Sequence, residues 1–277
     1  NLDQSFKLAR LQTNSQGLHD REYSIQKDPG TFRVVVLGDS QTMASGVSRD
    51  ENYHALIESR LDPQDLGYER IEFINLAVGA STPGDYRDVL EYKALAYSPD
   101  LVLVGFTPGN DEIFNFSTQK KRYQAKPVRN GFFQSFLWRR IEDLGSHYLG
   151  GESHDERGPF MDHHRDRLGF LLGDIQRRSE RAGAPVVLVY LARVERENRA
   201  EVQRLSESLG IQFVDTSPAF RDIPLDETRI YRTDRHPNPY AHRIIADTLQ
   251  PHLEEWIGRS TAASDPGPSK EAAPTQN

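Results

Sequence analysis

The chain has 277 residues, of which 34 are basic and 41 acidic, so its formal net charge is −7. A negative balance argues against a surface for nucleic acid or anionic lipid, because both of these partners are polyanions. There is no cysteine, which excludes disulfides and thiolate chemistry, and no apolar run approaches the ~20 residues of a membrane span.

Short apolar segments that predict strands alternate five times along the chain with segments of helical periodicity. This alternation is typical of a parallel sheet covered by helices. The predicted strands are Phe32–Leu37, Ile71–Leu76, Leu101–Phe106, Pro185–Leu191 and Ile211–Val214. The predicted helices are Glu51–Leu61, Pro83–Tyr97, Asp162–Ala182, Glu195–Leu209 and Asn238–Ile257. This order predicts a three-layer α/β/α sandwich with a five-stranded parallel sheet and right-handed crossovers.

The segments outside this alternation suggest how the chain is divided. Residues 1–30 are polar and lack a sustained period, and we interpret them as an arm on the surface. Residues 31–259 form the predicted folded domain, with a basic and aromatic insertion at about 115–160. Residues 260–277 are rich in Pro, Ser, Ala and Thr, which predicts a disordered tail. Because the chain begins at Asn1 rather than methionine, we expect a signal peptide or membrane anchor upstream.

The first predicted strand stops at a small polar cluster in the segment Arg33–Gly46, RVVVLGDSQTMASG. Gly38 permits a tight turn, and Asp39 and Ser40 follow at the edge where open α/β sheets bind ligands. Ser40 is therefore a candidate nucleophile, and the alternative is that it caps the next helix. A phosphate loop is disfavoured because no lysine lies between Gly38 and Gly46, and a dinucleotide fingerprint would need a third glycine.

Further polar and glycine residues follow the other strands at the same predicted edge. A serine hydroxyl attacks only when a base takes its proton, which His236 could do, while Asp234 could hold the imidazole tautomer. The backbone N–H groups of Ser40 and Gly79 and the Asn110 amide could donate to a tetrahedral oxyanion. Each residue alone has a simpler interpretation as a turn or loop residue. Their occurrence together, in this order at one edge, favours a hydrolase site.

These residues resemble the sequence blocks of the SGNH (GDSL) hydrolase superfamily. The first block is similar to Gly38-Asp39-Ser40, the second matches Gly79 within NLAVGAST, and the third matches Asn110-Asp111. The resemblance runs from Phe32 to about Ile257. It implies a flavodoxin-like SGNH fold for the catalytic domain, 31–259.

Two positions depart from the family pattern. Pro108 stands where the third block has its first glycine, and Thr233 stands at the usual position of the acid. Asp234 lies two residues before His236, a spacing that some extracytoplasmic branches of the superfamily use. We assign the acid to Asp234 because a threonine hydroxyl cannot offset the charge of an imidazolium ion.

Other carboxylates at the same edge are the alternatives for this acid. Asp39 is expected instead to hold the turn around Ser40, and Asp111 to anchor its own loop. If Asp234 serves the histidine, the loop must differ locally from the commoner form, because a shift of one residue redirects a side chain in extended backbone.

The resemblance implies hydrolysis of an acyl ester, with acetyl favoured, through an acyl-enzyme and without a metal or other cofactor. The substrate would be a small-molecule, carbohydrate or lipid ester. Asn14–Tyr23, NSQGLHDREY, is similar to the lead-in of bacterial members that follow a signal or membrane helix, which implies an extracytoplasmic setting.

Two other functions stay open at this point. An O-acyltransferase would use the same triad and pass the acyl group to a glycan hydroxyl. The insertion could hold such an acceptor through Lys120–Tyr123, Phe132, Phe133 and Trp138, although a helix that packs its own aromatic residues explains these equally simply. A binding module without catalysis is the other alternative, motivated by the departures at 108 and 233.

A metal site is the weakest alternative. Asp162-His163-His164-Asp166 and His154-Asp155-Glu156 contain ligand-type side chains, but adjacent histidines on a helix point about 100° apart and rarely share an ion. We interpret both groups as solvated. His242 lies inside the last predicted helix and is interpreted as structural.

Overall fold

The computed structural model describes residues 3–7, 9–111, 159–194 and 196–264. The strands in this part of the chain are β1 Asp3–Phe6, β2 Ala9–Gln12, β3 Thr31–Gly38, β4 Arg70–Asn75, β5 Leu101–Phe106, β6 Val186–Tyr190, β7 Gln212–Asp215, β8 Arg229–Tyr231 and β9 Asp234–Pro237. The α-helices are α1 Tyr53–Arg60, α2 Pro83–Tyr92, α3 Pro159–Arg181, α4 Arg199–Ser208 and α5 Pro239–Ser264.

The central sheet is parallel, has five strands, and runs in the order β4-β3-β5-β6-β7. Every residue of β3, β5 and β6 is buried, as the continuous apolar runs predict. The chain leaves β3 toward β4 on one side and returns to β5 on the other, so the order reverses between β3 and β5. The carboxyl ends of these two strands therefore flank the crevice in which such sheets bind ligands.

Helices cover both faces of the sheet. The helices α2, α3 and α4 bury Leu90, Leu172 and Val202 against one face, and α1 and α5 bury Ile57 and Leu249 against the other. The three-layer α/β/α architecture with a five-stranded parallel sheet is confirmed.

Several boundaries differ from the prediction. The helix predicted to reach Tyr97 ends at Tyr92 and continues as a 3₁₀ turn over Ala94–Tyr97, because Lys93 leaves helical geometry at φ −138° and ψ −54°. The last helix runs to Ser264, past the predicted start of the tail, since 260–264 contains two alanines and no glycine or proline that would break it. Most of the predicted insertion at 115–160, including a short helix that its sequence favours over 132–144, lies outside the described residues.

Two antiparallel hairpins were not predicted. One joins β1 to β2 within the arm, and the other joins β8 to β9 in the segment that the sequence suggested to be a loop. Strands of three or four residues carry too few side chains to show a period of two, so sequence patterning misses them.

The arm packs on the edge strand β4. The Asp20 carboxylate accepts the Asn75 N–H at 2.6 Å, and the Tyr23 hydroxyl donates to the Phe73 carbonyl at 2.6 Å. These contacts use backbone groups that an uncovered edge strand would leave without partners. The arm is therefore built into the fold at the sheet edge.

A buried ion pair lies between β3 and β4. Arg33 and Glu72 are register partners on the two strands, and Arg33 Nη2 lies 2.7 Å from Glu72 Oε2. Arg33 is 1% exposed, and it also donates to the backbone carbonyls of Tyr97 and Ile25. The pair is thus well hydrogen-bonded, as a buried charge must be.

Candidate active site

The turn after β3 places Ser40 at the carboxyl edge of the sheet. A Cβ on Gly38 would lie 2.4–2.9 Å from the atoms of the Thr42 side chain, so only glycine fits there. Backbone hydrogen bonds from Met43 N to Asp39 O and from Ser45 N to Ser40 O close the turn at 2.9 and 3.0 Å. The next α-helix begins only at residue 53, so Ser40 does not cap it.

Asp39 is buried beneath this turn and fastens it. Its Oδ1 accepts the Gln41 N–H at 2.8 Å and the Thr107 hydroxyl at 3.0 Å, and its Oδ2 accepts Asn110 Nδ2 at 2.5 Å. Burial raises the pKa of Asp39 although these hydrogen bonds oppose the shift. The expectation that Asp39 holds the turn around Ser40 is confirmed.

The predicted base and acid meet the serine at this edge. His236 Nε2 lies 2.7 Å from Ser40 Oγ, and His236 Nδ1 lies 2.5 Å from Asp234 Oδ1. The structure therefore brings together three residues from two segments 196 positions apart in the chain. With a proton on Nδ1, Nε2 is free to accept the proton of the serine hydroxyl.

Strand β9 explains how Asp234 reaches the ring from only two residues away. In extended backbone, residues i and i+2 point to the same side. Asp234 and His236 hold these positions in β9, and Asp234 Oδ1 also accepts the His236 N–H at 3.1 Å. Thr233 lies in the turn before the strand and is exposed, so its side chain cannot take the place of the carboxylate.

The surroundings of the pair shift both pKa values downward. Burial alone would raise the pKa of Asp234, but hydrogen bonds from Lys7 and His236 outweigh it and lower that pKa to about 2. Burial lowers the pKa of His236, and the positive charge of Lys7 adds to the shift, against the opposing effects of Asp234 and Asp39. The pair therefore consists of a carboxylate and a neutral imidazole near neutral pH.

Gly79 and Asn110 lie beside the serine. A Cβ on Gly79 would lie 3.8 Å from Ser40 Cβ, which places the two backbones next to each other. Within the described residues, no protein acceptor takes the N–H of Ser40 or Gly79. Asp39 holds one N–H of the Asn110 amide and leaves the other available. The Gly79 backbone thus lies next to Ser40, and the Asn110 amide contacts Asp39, the residue that precedes Ser40.

The loop after β5 is held by Asp111. Its Oδ2 accepts the Thr107 N–H at 2.8 Å, and its Oδ1 accepts the Tyr86 hydroxyl at 2.8 Å. Asp111 is 1% exposed and faces the loop rather than the histidine. The expectation that Asp111 anchors its loop is confirmed, and Pro108 is accommodated within the same turn.

Sequence reasoning missed three residues that touch this site. Lys7 forms an ion pair with Asp234 at 2.7 Å, and Thr107 supports Asp39 as described above. Arg193 donates to the Thr228 carbonyl at 2.6 Å and to the Arg235 carbonyl, and so fastens the β8–β9 hairpin. No sequence signal marks them, because each acts across a long separation in the chain.

Among the residues weighed for other roles, His242 takes no part in the contacts between Ser40, His236 and Asp234. His242 is buried in α5, where its Nδ1 accepts the Tyr53 N–H at 3.3 Å. Residues 154–156 fall outside the described part, and the side chains at 162–164 are likewise not described. In the described ranges no group of three or more His, Asp or Glu residues could hold a metal ion. No helix in the same ranges is long and apolar enough to cross a membrane.

A cavity of about 520 Å³ opens beyond Arg193, at the carboxyl ends of β6 and β7. Its lining includes Arg199, Asp215, Phe220 and Arg221, and none of Ser40, Asp234 and His236. The serine and histidine are instead partly exposed at the sheet edge. Within the described residues, the candidate site is therefore open and lies outside this cavity.

Residues 36–244 match the model of the GDSL-like lipase/acylhydrolase family. Among solved structures, the chain is similar to the psychrotrophic esterase EstA from Pseudoalteromonas sp., with 16% identity, a TM-score of 0.50 and coverage of 81% of this chain and 98% of that one. It is also similar to LAE5, an α/β hydrolase enzyme from the metagenome of Lake Arreo, Spain, with 17% identity, a TM-score of 0.50 and coverage of 82% and 96%.

A catalytic mutant of Axe2, an acetylxylan esterase from Geobacillus stearothermophilus, is 18% identical, with a TM-score of 0.49 and coverage of 80% of this chain and 94% of that one. At these identities the likeness to EstA and LAE5 shows the fold. No curated protein matches the chain.

Proposed function

Because the chain belongs to the GDSL-like lipase/acylhydrolase family and is a serine ester hydrolase, we propose that Ser40, His236 and Asp234 cleave an acyl ester through an acyl-enzyme. The observation that carries this assignment is the line of short contacts from Ser40 Oγ through the His236 ring to Asp234 Oδ1. The expected enzyme class is confirmed by the family, and the residues and the substrate are the content of the proposal.

In the first half-reaction, Ser40 Oγ forms a bond to the carbonyl carbon of the ester while His236 Nε2 takes its proton. The carboxylate of Asp234 keeps the other ring proton on Nδ1 and stabilises the imidazolium ion that forms. The imidazolium then gives its proton to the leaving alcohol oxygen as the ester bond breaks. The acyl group remains on Ser40.

In the second half-reaction, a water molecule takes the place of the alcohol. His236 Nε2 takes a proton from this water as the water oxygen attacks the acyl carbon. The proton then passes to Ser40 Oγ as the bond to Ser40 breaks and the carboxylic acid product leaves. The N–H groups of Ser40 and Gly79 and the Asn110 amide stabilise the oxyanion in both halves. Loss of one such donor typically costs ~3 kcal/mol of transition-state stabilisation.

We infer a short acyl group, with acetyl favoured, on a carbohydrate or lipid. The support is the openness of the edge: Asn110 is exposed, and the His236 side chain is 28% exposed. A site of this kind admits a bulky alcohol on the solvent side while a small acyl group faces the donors.

The test is hydrolysis of p-nitrophenyl acetate, butyrate and octanoate by the wild-type chain and Ser40→Ala. The wild type should prefer the acetate, and Ser40→Ala should abolish turnover without changing the circular dichroism spectrum. Ser48→Ala, a nearby serine outside the proposed site, is the matched control and should behave as wild type. Full activity in Ser40→Ala would contradict the proposal.

Hydrolysis and acyl transfer share the acyl-enzyme, so the triad does not separate them. The residues suggested for a glycan acceptor, within 120–138, lie outside the described part of the chain, and nothing else favours transfer. The chain should therefore give only free acid when it is incubated with an acetyl donor and candidate glycans. An acetylated glycan detected by mass spectrometry would assign it to the transferases.

The extracytoplasmic location remains a prediction, supported by the likeness of the segment 14–23 to bacterial lead-in sequences. Fractionation of the source organism with an antibody against the chain tests it. Recovery outside the cytoplasm is expected, and recovery only in the cytoplasm would contradict it.

A further inference from the structure

A lysine at the turn of the arm hairpin reaches the proposed acid. Lys7 follows β1 with φ +56°, a left-handed value of the kind that tight hairpin turns use. Its Nζ lies 2.7 Å from Asp234 Oδ2, 2.9 Å from Ser45 Oγ and 3.2 Å from His236 Nδ1. The Lys7 side chain is only 9% exposed, so solvent screens these contacts far less than it screens a surface ion pair.

The turn after Ser40 is shaped to receive this side chain. Gly46 has φ +95°, and a Cβ there would lie 2.7 Å from Lys7 Cδ and 2.9 Å from Lys7 Cβ. The ring of His19 lies within hydrogen-bond distance of the carbonyls of Gln12, at 2.9 Å, and Val47, at 3.0 Å, and so ties the arm to the same turn. The position of Lys7 is therefore fixed by the fold.

We propose that Lys7 is a positioning residue of the ester-hydrolase site, which holds Asp234 by its Oδ2 so that Oδ1 stays on the histidine. This inference rests on the proposed function. The Nδ1 proton of His236 bonds Asp234 Oδ1, so the nearby ammonium acts on the ring by charge rather than by a hydrogen bond. Lys7, Asp234 and His236 together carry no net charge when the imidazole is neutral. The Lys7 ammonium therefore opposes protonation of the ring.

In the described part of the chain, the other titratable groups near His236 lie on its own strand and on the elements that pack against it. Asp234 on its own strand and Asp39 from the turn after β3 favour the protonated ring, whereas Lys7 from the arm disfavours it. His242 in α5 is neutral because burial lowers its pKa to about 3.

Arg193, which follows β6, also faces the hairpin, and its charge acts on Asp234. The Arg193 charge is present in wild type and in every variant at position 7, so it does not contribute to the difference between them. Removal of the Lys7 ammonium should therefore raise the pKa of His236 by about one unit, the usual effect of a single charge at this range.

The experiment compares the pH dependence of kcat/KM on p-nitrophenyl acetate for wild type, Lys7→Met and Lys7→Arg. In Lys7→Met the acidic limb of the profile should move to higher pH by about one pH unit. The plateau value of kcat/KM should fall because Asp234 is held less well. Lys7→Arg keeps the charge and should restore the position of the limb. Lys27→Met is the matched control, since Lys27 pairs with Asp100 at 2.7 Å in the same arm but away from the serine.

A titration of the His236 ring by NMR reads the same charge effect without turnover, with the signal assigned by its absence in His236→Gln. Its pKa should be higher in Lys7→Met than in wild type. An unchanged ring pKa and an unchanged limb would overturn the role of Lys7. If the wild type turns over no ester but the ring pKa shifts, the proposed function fails while the contact stands. Should Lys7→Met unfold, Lys7→Gln gives the same comparison.

Discussion

At the scale of single residues, the spacing of the acid and the base is the feature that departs most from the commoner family pattern. Asp234 and His236 lie two positions apart in extended backbone and point to the same side, so the carboxylate reaches Nδ1 at 2.5 Å. The usual position of the acid is filled by Thr233, which is exposed in the turn. The proposed acid thus lies one residue later than in the commoner pattern, and the extended backbone of β9 lets it reach the ring.

Replacement of Asp234 by Asn should lower kcat by about 10⁴-fold, the loss seen when an amide favours the wrong imidazole tautomer in a related triad. Thr233→Val should retain the wild-type rate, since its side chain contacts neither the ring nor the serine. Steady-state kinetics on an acetyl ester measures both. Near-full activity in Asp234→Asn, together with loss in Asp111→Asn, would reassign the acid.

In the proposed mechanism, the protonation of His236 sets the acidic limit of activity. A base must be neutral to accept the serine proton, so kcat/KM falls as the pH drops through the pKa of the ring. Burial and the charge of Lys7 lower that pKa from its ordinary value of about 6.5. The pH profile should therefore have its acidic midpoint below about 6.5, and a midpoint clearly above this value would contradict the described surroundings.

At the scale of elements, the site depends on the β8–β9 hairpin, whose strands have three and four residues. A pair this short is marginal on its own and needs support from its neighbours. Arg193 supplies it through the carbonyls of Thr228 and Arg235. Asn238 adds to it, because its side chain donates to the Glu227 carbonyl and accepts the Ala241 N–H at the start of α5.

Arg193→Met should therefore loosen the hairpin and displace the base relative to the nucleophile. Misplacement by about 1 Å can cost ~100-fold in rate, so kcat should fall by one to two orders of magnitude while the sheet stays folded. The exposed Arg196, in the same loop, provides the control Arg196→Met, which should keep the wild-type kcat. Equal rates in the two variants would show that Arg193 does not position the hairpin.

Sequence reasoning was most successful where the signal is local and long. The strands β3, β5 and β6 follow from continuous apolar runs, and Ser40 stands out because it lies just beyond the first of them. The short hairpins gave no such signal. Lys7 lies 229 positions before His236, and only the folded arm brings it to the site, so no local pattern could connect the two residues.

At the scale of the whole molecule, the stability of the sheet should depend on the buried pair Arg33–Glu72. Loss of Glu72 would leave the guanidinium buried without its counter-charge, and such a break typically costs ~3–5 kcal/mol. We expect Glu72→Leu to lower the free energy of unfolding in urea by about this amount. Asp247→Leu breaks the surface ion pair with Arg60, in which the Asp247 side chain is 66% exposed, and should cost about 1 kcal/mol or less. Similar costs for the two variants would contradict this account.

The whole molecule serves to bring the ends of β3 and β5 and the β8–β9 hairpin to one edge, where a single serine meets its base. Intact-protein mass spectrometry after treatment with a fluorophosphonate tests this claim most directly, because the reagent bonds covalently only to an activated nucleophile. The wild type should gain one phosphonyl group, mapped by peptide analysis to Ser40, and His236→Ala and Ser40→Ala should gain none under the same conditions. An unlabelled wild type, or a label on another residue that persists in Ser40→Ala, would contradict the assignment of the site.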